Sequence, residues 1–188
     1  MEKVLTVIKN LKLVEWINTK TGKIVIGTIL LSGIGVALPR IFHVLAGATA
    51  GATYLPMHIA VLIAALTFGV ISGSFVAGIS IVFSYLLTDM PSLARLPYML
   101  IELLIYSVLL GLFNKKLNTY ISLILSLVIG RIIYAGILFI AGNFLGYNLA
   151  GISNVLEAVK TGIPGILIQL AFIPFIANSI KKGIKLND

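Results

Sequence analysis

The chain has 188 residues, 59% of them hydrophobic and 11% charged, with a mean hydropathy of +1.10 and a formal net charge of +8. A soluble domain carries about a quarter charged residues, so the composition excludes a soluble enzyme and describes an integral membrane protein of the all-α class with no room for an added catalytic domain. Cysteine is absent, which removes disulfide and thiolate chemistry.

Residues 1–23 carry charges along their whole length and no uninterrupted apolar core with a cleavage site, so they are expected to remain as an amphipathic basic segment rather than a cleaved leader. Its apolar residues at Val4, Val7, Ile8, Leu11 and Val14 fit a helix lying in the membrane interface; a partly ordered basic tail is the alternative. Residues 24–182 then read as six transmembrane helices, with apolar runs at 24–46, 55–72, 73–88, 91–113, 120–144 and 155–180, and 183–188 form a tail. The second run belongs to the stretch ATYLPMHIAVLIAALTFGVISG at 52–73, which opens with a proline in the first helical turn and is nearly free of charge. The second and third runs join through Ser72, Gly73 and Ser74, so one long bent hairpin is an alternative to two spans. The last run is expected to be interrupted by Pro164 and Pro174.

Lysines gather in the N-terminal segment, at Lys115 and Lys116, and at Lys181, Lys182 and Lys185. Six spans put all three groups on one side, and the excess of lysine marks that side as cytoplasmic. The basic charge is thus a topology signal and implies no nucleic acid partner.

Depth follows from a rise of about 1.5 Å per residue. Arg40 falls about 24 Å along the first helix, Glu102 about 15 Å down the fourth and Arg131 about 17 Å up the fifth, so the last two meet near one level. An unpaired charge inside a bilayer costs about 2.5 to 3.5 kcal/mol or more, so Glu102 and Arg131 are expected either to pair or to share a ligand. Tyr98, Glu102 and Tyr106 occupy one face of their helix, as do Arg131 and Tyr134. Together with Arg40, His43, His58 and Asn143 they are the candidate ligand-binding residues; Arg40, His43, His58, Asp89, Arg95, Glu102, Asn143, Tyr147, Asn154 and Glu157 all fall on the outer half, above an inner half with almost nothing comparable. A structural ion pair is the competing reading of Glu102 and Arg131. His43 and His58 lack the further ligands that a metal site needs, so no metal and no cofactor are expected. Gln169, near Pro164, can bond to carbonyls that the proline frees. Thr28 with Ser32 and Gly33 with Ala37 are small-residue pairs at helical spacing, suited to internal packing or to docking a partner helix.

No G-x-x-x-x-G-K-[ST], H-E-x-x-H or G-x-S-x-G sequence occurs, so neither ATP hydrolysis nor a familiar hydrolase is encoded. LPRIFH, LPMHIAVLIAALTFGVISG, LLTDMP, YMLIELLIYSVLLGL and IGRIIYAG resemble the substrate-binding S components of energy-coupling factor (ECF) vitamin transporters, over roughly residues 24–142. The resemblance implies a non-enzymatic, multi-pass subunit of a prokaryotic plasma membrane. Such a subunit captures a water-soluble vitamin from outside, and the importer adds a transmembrane coupling subunit and two cytoplasmic ATPases. It also implies docking through the first helix, where Gly33 to Ala37 or Thr28 to Ser32 stands in for the family's A-x-x-x-A pattern; Ala60 stands where the family has proline. The cationic groups favour a carboxylate-bearing vitamin, pantothenate first, with folate, niacin, pyridoxine and cobalamin open. A self-sufficient secondary transporter or channel is the alternative.

Overall fold

The 52–73 stretch supplies the axis of the protein, but it is divided by two single-residue breaks. A computed structural model describes residues 12–47, 49–93, 95–144 and 152–184, and the side chains within them except at 12–14, 141–144 and 152–155. In it, helix α3 (Ala50–Tyr54) stops at Leu55, which adopts the left-handed conformation with φ 49°, and helix α4 (Pro56–Phe68) starts at once with proline in its first turn. Helix α4 ends at Gly69, whose φ of 91° suits glycine, and helix α5 (Val70–Thr88) begins at the next residue. The hairpin alternative is therefore resolved into two helices joined by one glycine, at Gly69 rather than at Ser72–Ser74.

Helix α1 (Lys12–Asn18) precedes helix α2 (Lys20–Ala46), and helices α6 (Leu96–Phe113), α7 (Thr119–Phe144) and α8 (Ile152–Gly183) complete the chain. All the described secondary structure is helical, and six segments are long and apolar enough to cross a membrane, the second being α3 with α4. This is the build of a multi-pass membrane protein. Large apolar side chains such as Leu30, Ile71, Phe75, Leu87, Ile132 and Phe175 face outward, as lipid-facing surfaces require. The first eleven residues lie outside the described part. Beyond them, Trp16 and Ile17 on α1 are exposed.

Eleven of the thirteen residues of α4 are buried. A helix apolar on every side belongs in the centre, and α4 packs against α2, α5, α6 and α8. Helix α7 lies at the edge, mainly against α6 and α8. Glycines permit the closest approaches: a β-carbon at Gly35 would strike Ser80 of α5, and one at Gly111 would lie 2.7 Å from the backbone nitrogen of Val70.

Two boundaries differ from expectation for physical reasons. Helix α6 starts at Leu96, not 91, because Pro97 suits the first turn and the chain before it is spent in a turn in which Arg95 and Leu96 N–H groups both reach the Ser92 carbonyl. Helix α8 runs through Pro164 and Pro174 without a break, since neighbouring groups in a packed membrane bundle tolerate the lost hydrogen bonds.

The Lys23 amine donates to the Ile184 carbonyl at 3.2 Å, so the start of α2 and the end of α8 share one end of the bundle, called here the near end. Lys115 and Lys116 follow α6 at that same end, as the Asn114 bond to the last turn of α4 requires. The three lysine groups thus do converge, through their described members. The far end holds the start of α4 and of α6.

Candidate functional site: a charged cluster beside an apolar cavity

Helix α4 brings His58 into the core one turn after the Leu55 break, and α6 brings Glu102 about 9 Å from its far-end start, nearer the rim than its expected 15 Å because the helix begins later. Arg131 enters from α7. Its Nη1 lies 2.6 Å from Glu102 Oε1. The Tyr106 hydroxyl, one turn below Glu102, donates to the same oxygen at 3.1 Å. His58 Nε2 stands 3.8 Å from it, within ion-pair reach but beyond hydrogen-bond length, and is buried without a hydrogen-bond partner. The histidine ring tilts against Tyr106 at 5.8 Å between centroids, and the Arg131 guanidinium stands 6.0 Å from the Tyr106 ring centre, at the limit of a cation–π contact.

The sequence provides for this locally. A β-carbon at Gly130 would lie 2.6 Å from the Tyr106 ring, so the glycine beside Arg131 lets the tyrosine lie flat against α7. On α8, Gly162 and Gly165 admit Leu55 and the backbone of Tyr54, which seats α8 on the α3–α4 bend. One turn after Gly165, Gln169 faces inward.

These elements form a half-open cavity of about 300 Å³ lined by Leu55, His58, Tyr106, Leu127, Val128, Arg131, Ile132, Val159, Ile166 and Gln169. Its walls are mostly aliphatic, with polar groups at a few points, as in many small-molecule sites. Gln169 is fully buried, and neither atom of its amide has a hydrogen-bond partner. The expected bonding to proline-freed carbonyls is not made. Each unpartnered polar atom of this kind costs about 1–3 kcal/mol.

Of the candidates named from sequence, the structure brings together His58, Glu102, Tyr106 and Arg131. Tyr134 is half-buried within electrostatic reach of Glu102, Arg131 and Tyr98. Arg40 is exposed, and neither it nor His43 lines the cavity. For Arg40 the reason is rotational: Leu31, Ser32 and Gly35 mark the buried face of α2, and five residues beyond Gly35 turn the helix about 140° away from that face. Tyr147 and the side chains of Asn143 and Asn154 lie outside the described residues. Both ion pairs among the described residues involve Glu102, and no group of three or more His, Asp or Glu gathers there.

Arg131 is paired with Glu102, and Arg95 occupies the N-cap position of α6, exposed and without a side-chain capping bond. Sequence reasoning missed the binding role open to Gln169; the signal was that it is the chain's single glutamine, set within an apolar run.

Alongside the contact of α2 with α5, Gly33 and Ala37 are exposed and, with Ile29, Ser32 and Val36, form one side of an apolar groove of about 350 Å³ whose other side is Ile79, Phe83 and Leu87 of α5. A side chain added at Gly33 would meet nothing within 4 Å. Ser32 is buried, and the Thr28 and Ser32 hydroxyls bond back to their own helix at Ile24 and Thr28 carbonyls. Comparison with protein-family models, with characterised proteins and with solved structures gave no match.

Proposed function

We propose that the chain is the membrane-embedded substrate-binding subunit of an importer of the energy-coupling factor type, capturing a water-soluble vitamin in the cavity beside Glu102 and Arg131. The observation that carries this reading is one-sidedness. His58 and Glu102 are the buried ionisable side chains among the described residues apart from the Tyr106 phenol, and they stand together toward the far end. A path for ions or protons through the bilayer would need comparable groups toward the near end as well.

The lysine-rich near end is cytoplasmic on the positive-inside rule, so the cavity belongs to the outer half. The groove at Gly33 and Ala37 suits a helix of the coupling subunit, because small residues allow backbones to approach closely in lipid. ATP hydrolysis belongs to partner chains.

The test is binding of radiolabelled vitamins to the purified chain, followed by uptake with and without a coupling module. Saturable binding by the chain alone and uptake only with the module is the expected result; uptake by the chain alone, independent of ATP, defeats the proposal. Gly33→Leu should leave binding by the solitary subunit intact and reduce uptake by the assembled importer.

A further inference from the structure

The polar groups of the cavity are not equally free. Glu102 Oε1 already receives Arg131 Nη1 and the Tyr106 hydroxyl, so the pair brings little net charge to an incoming molecule. Gln169 offers a complete amide, one donor and one acceptor side by side, buried and unpartnered, on the wall across which the apolar side chains Val159 and Ile166 also project. His58 Nε2 is the other buried atom of the cavity without a hydrogen-bond partner, its contact with Glu102 Oε1 being 3.8 Å long. A carboxylate presents only acceptors to Gln169 and would leave its carbonyl facing an oxygen; an ammonium presents only donors and would leave its amine unmatched. A group with a donor and an acceptor on one edge satisfies both atoms, and does so whichever way the glutamine amide is turned.

We propose, resting on the solute-binding reading above, that the cavity takes an uncharged, largely apolar molecule bearing an amide-type edge, such as a carboxamide, lactam or ureide, paired edge-on with the side chain of Gln169. The aliphatic walls hold the rest of that molecule. Glu102 and Arg131 then position Tyr106 and His58 around it instead of binding a charged group directly.

The experiment uses matched neutral and acidic probes on the purified full chain: nicotinamide against nicotinate, pantothenamide against pantothenate, with 2-pyridone as a minimal lactam. Binding is read by calorimetry and by the shift in melting temperature. At least one neutral probe should bind, and its acid should bind about ten-fold more weakly or worse, the equivalent of about 1.4 kcal/mol. Gln169→Leu should abolish that binding while leaving the melting temperature of the free protein equal to or above wild type; Gln169→Met, closer in shape, is the second variant should the first fail to fold. Acids binding as well as amides, wild-type binding by a folded Gln169 variant, or no binding by any probe would each overturn the proposal. Acid binding that Arg131→Ala removes would overturn it while leaving the solute-binding reading standing, whereas module-independent uptake of a bound amide would overturn only the importer assignment.

Discussion

The two ends of the bundle bury different polar groups: serines, an asparagine and a threonine whose hydroxyl has no hydrogen-bond partner (Thr67) at the near end, ionisable and cavity-facing side chains toward the far end. At the near end the break at Gly69 leaves the Leu66 carbonyl open at the end of α4, and Asn114 donates to it at 3.1 Å; beside it Ser107 donates to the Val70 carbonyl at the start of α5 at 3.1 Å while lying 3.3 Å from the Ser74 hydroxyl. Toward the far end, charge is drawn into the core and a glutamine amide and a histidine nitrogen are left unmatched. A polar group that completes a helix end stabilises the fold. One that faces a cavity without a partner is a cost the fold carries for another purpose. The number of polar residues therefore does not find the site; their partners do.

Substitutions at the two ends should separate accordingly. The largest effect is expected from Arg131→Ala, which strands the Glu102 carboxylate in the core. Removing one partner of a buried pair costs about 3–5 kcal/mol, read as a large drop in thermal stability in detergent together with loss of ligand binding, while membrane insertion is preserved. A double replacement, Glu102→Leu with Arg131→Leu, should recover much of the stability and none of the binding; recovery of binding as well would make the pair purely structural. Next comes Gly111→Ala at the near end, whose added carbon would lie 2.7 Å from both the backbone nitrogen and a side-chain carbon of Val70. Overpacking of this kind costs about 1–3 kcal/mol, visible in the melting temperature, with ligand affinity of the folded fraction unchanged. The smallest effect is Asn114→Ala, which leaves the Leu66 carbonyl without its side-chain donor at a cost of about 1 kcal/mol, again with unchanged affinity. Loss of affinity in either near-end variant would erase the contrast between the ends.

Much of this was legible in the sequence because a membrane imposes simple demands. Length and hydropathy locate the six spans, and the expense of charge in lipid forces Glu102 and Arg131 to meet. Lysine placement predicts that Lys23, Lys115 and Lys181 share one end. What was not legible depends on rotation and on single backbone conformations. Arg40 has the right depth and the wrong direction on α2. Leu55 adopts a left-handed conformation that costs a β-carbon-bearing residue about 1–2 kcal/mol, and no local pattern announces it, since the packing of α8 glycines against the bend holds it in place. Ala60, where the resembled family has proline, is fully buried within an unbroken α4. Gln169 looked like a repair for a proline because its helix was expected to break there, and the helix does not break.

The enclosure of α4 also gives the three members of the charged cluster unequal surroundings. His58 stands on a core helix hemmed in by four others and Glu102 on a neighbour packed directly against it, whereas Arg131 rides on the peripheral α7. The guanidinium therefore stands on the outermost wall of the pocket while the carboxylate it meets is anchored in the innermost layer.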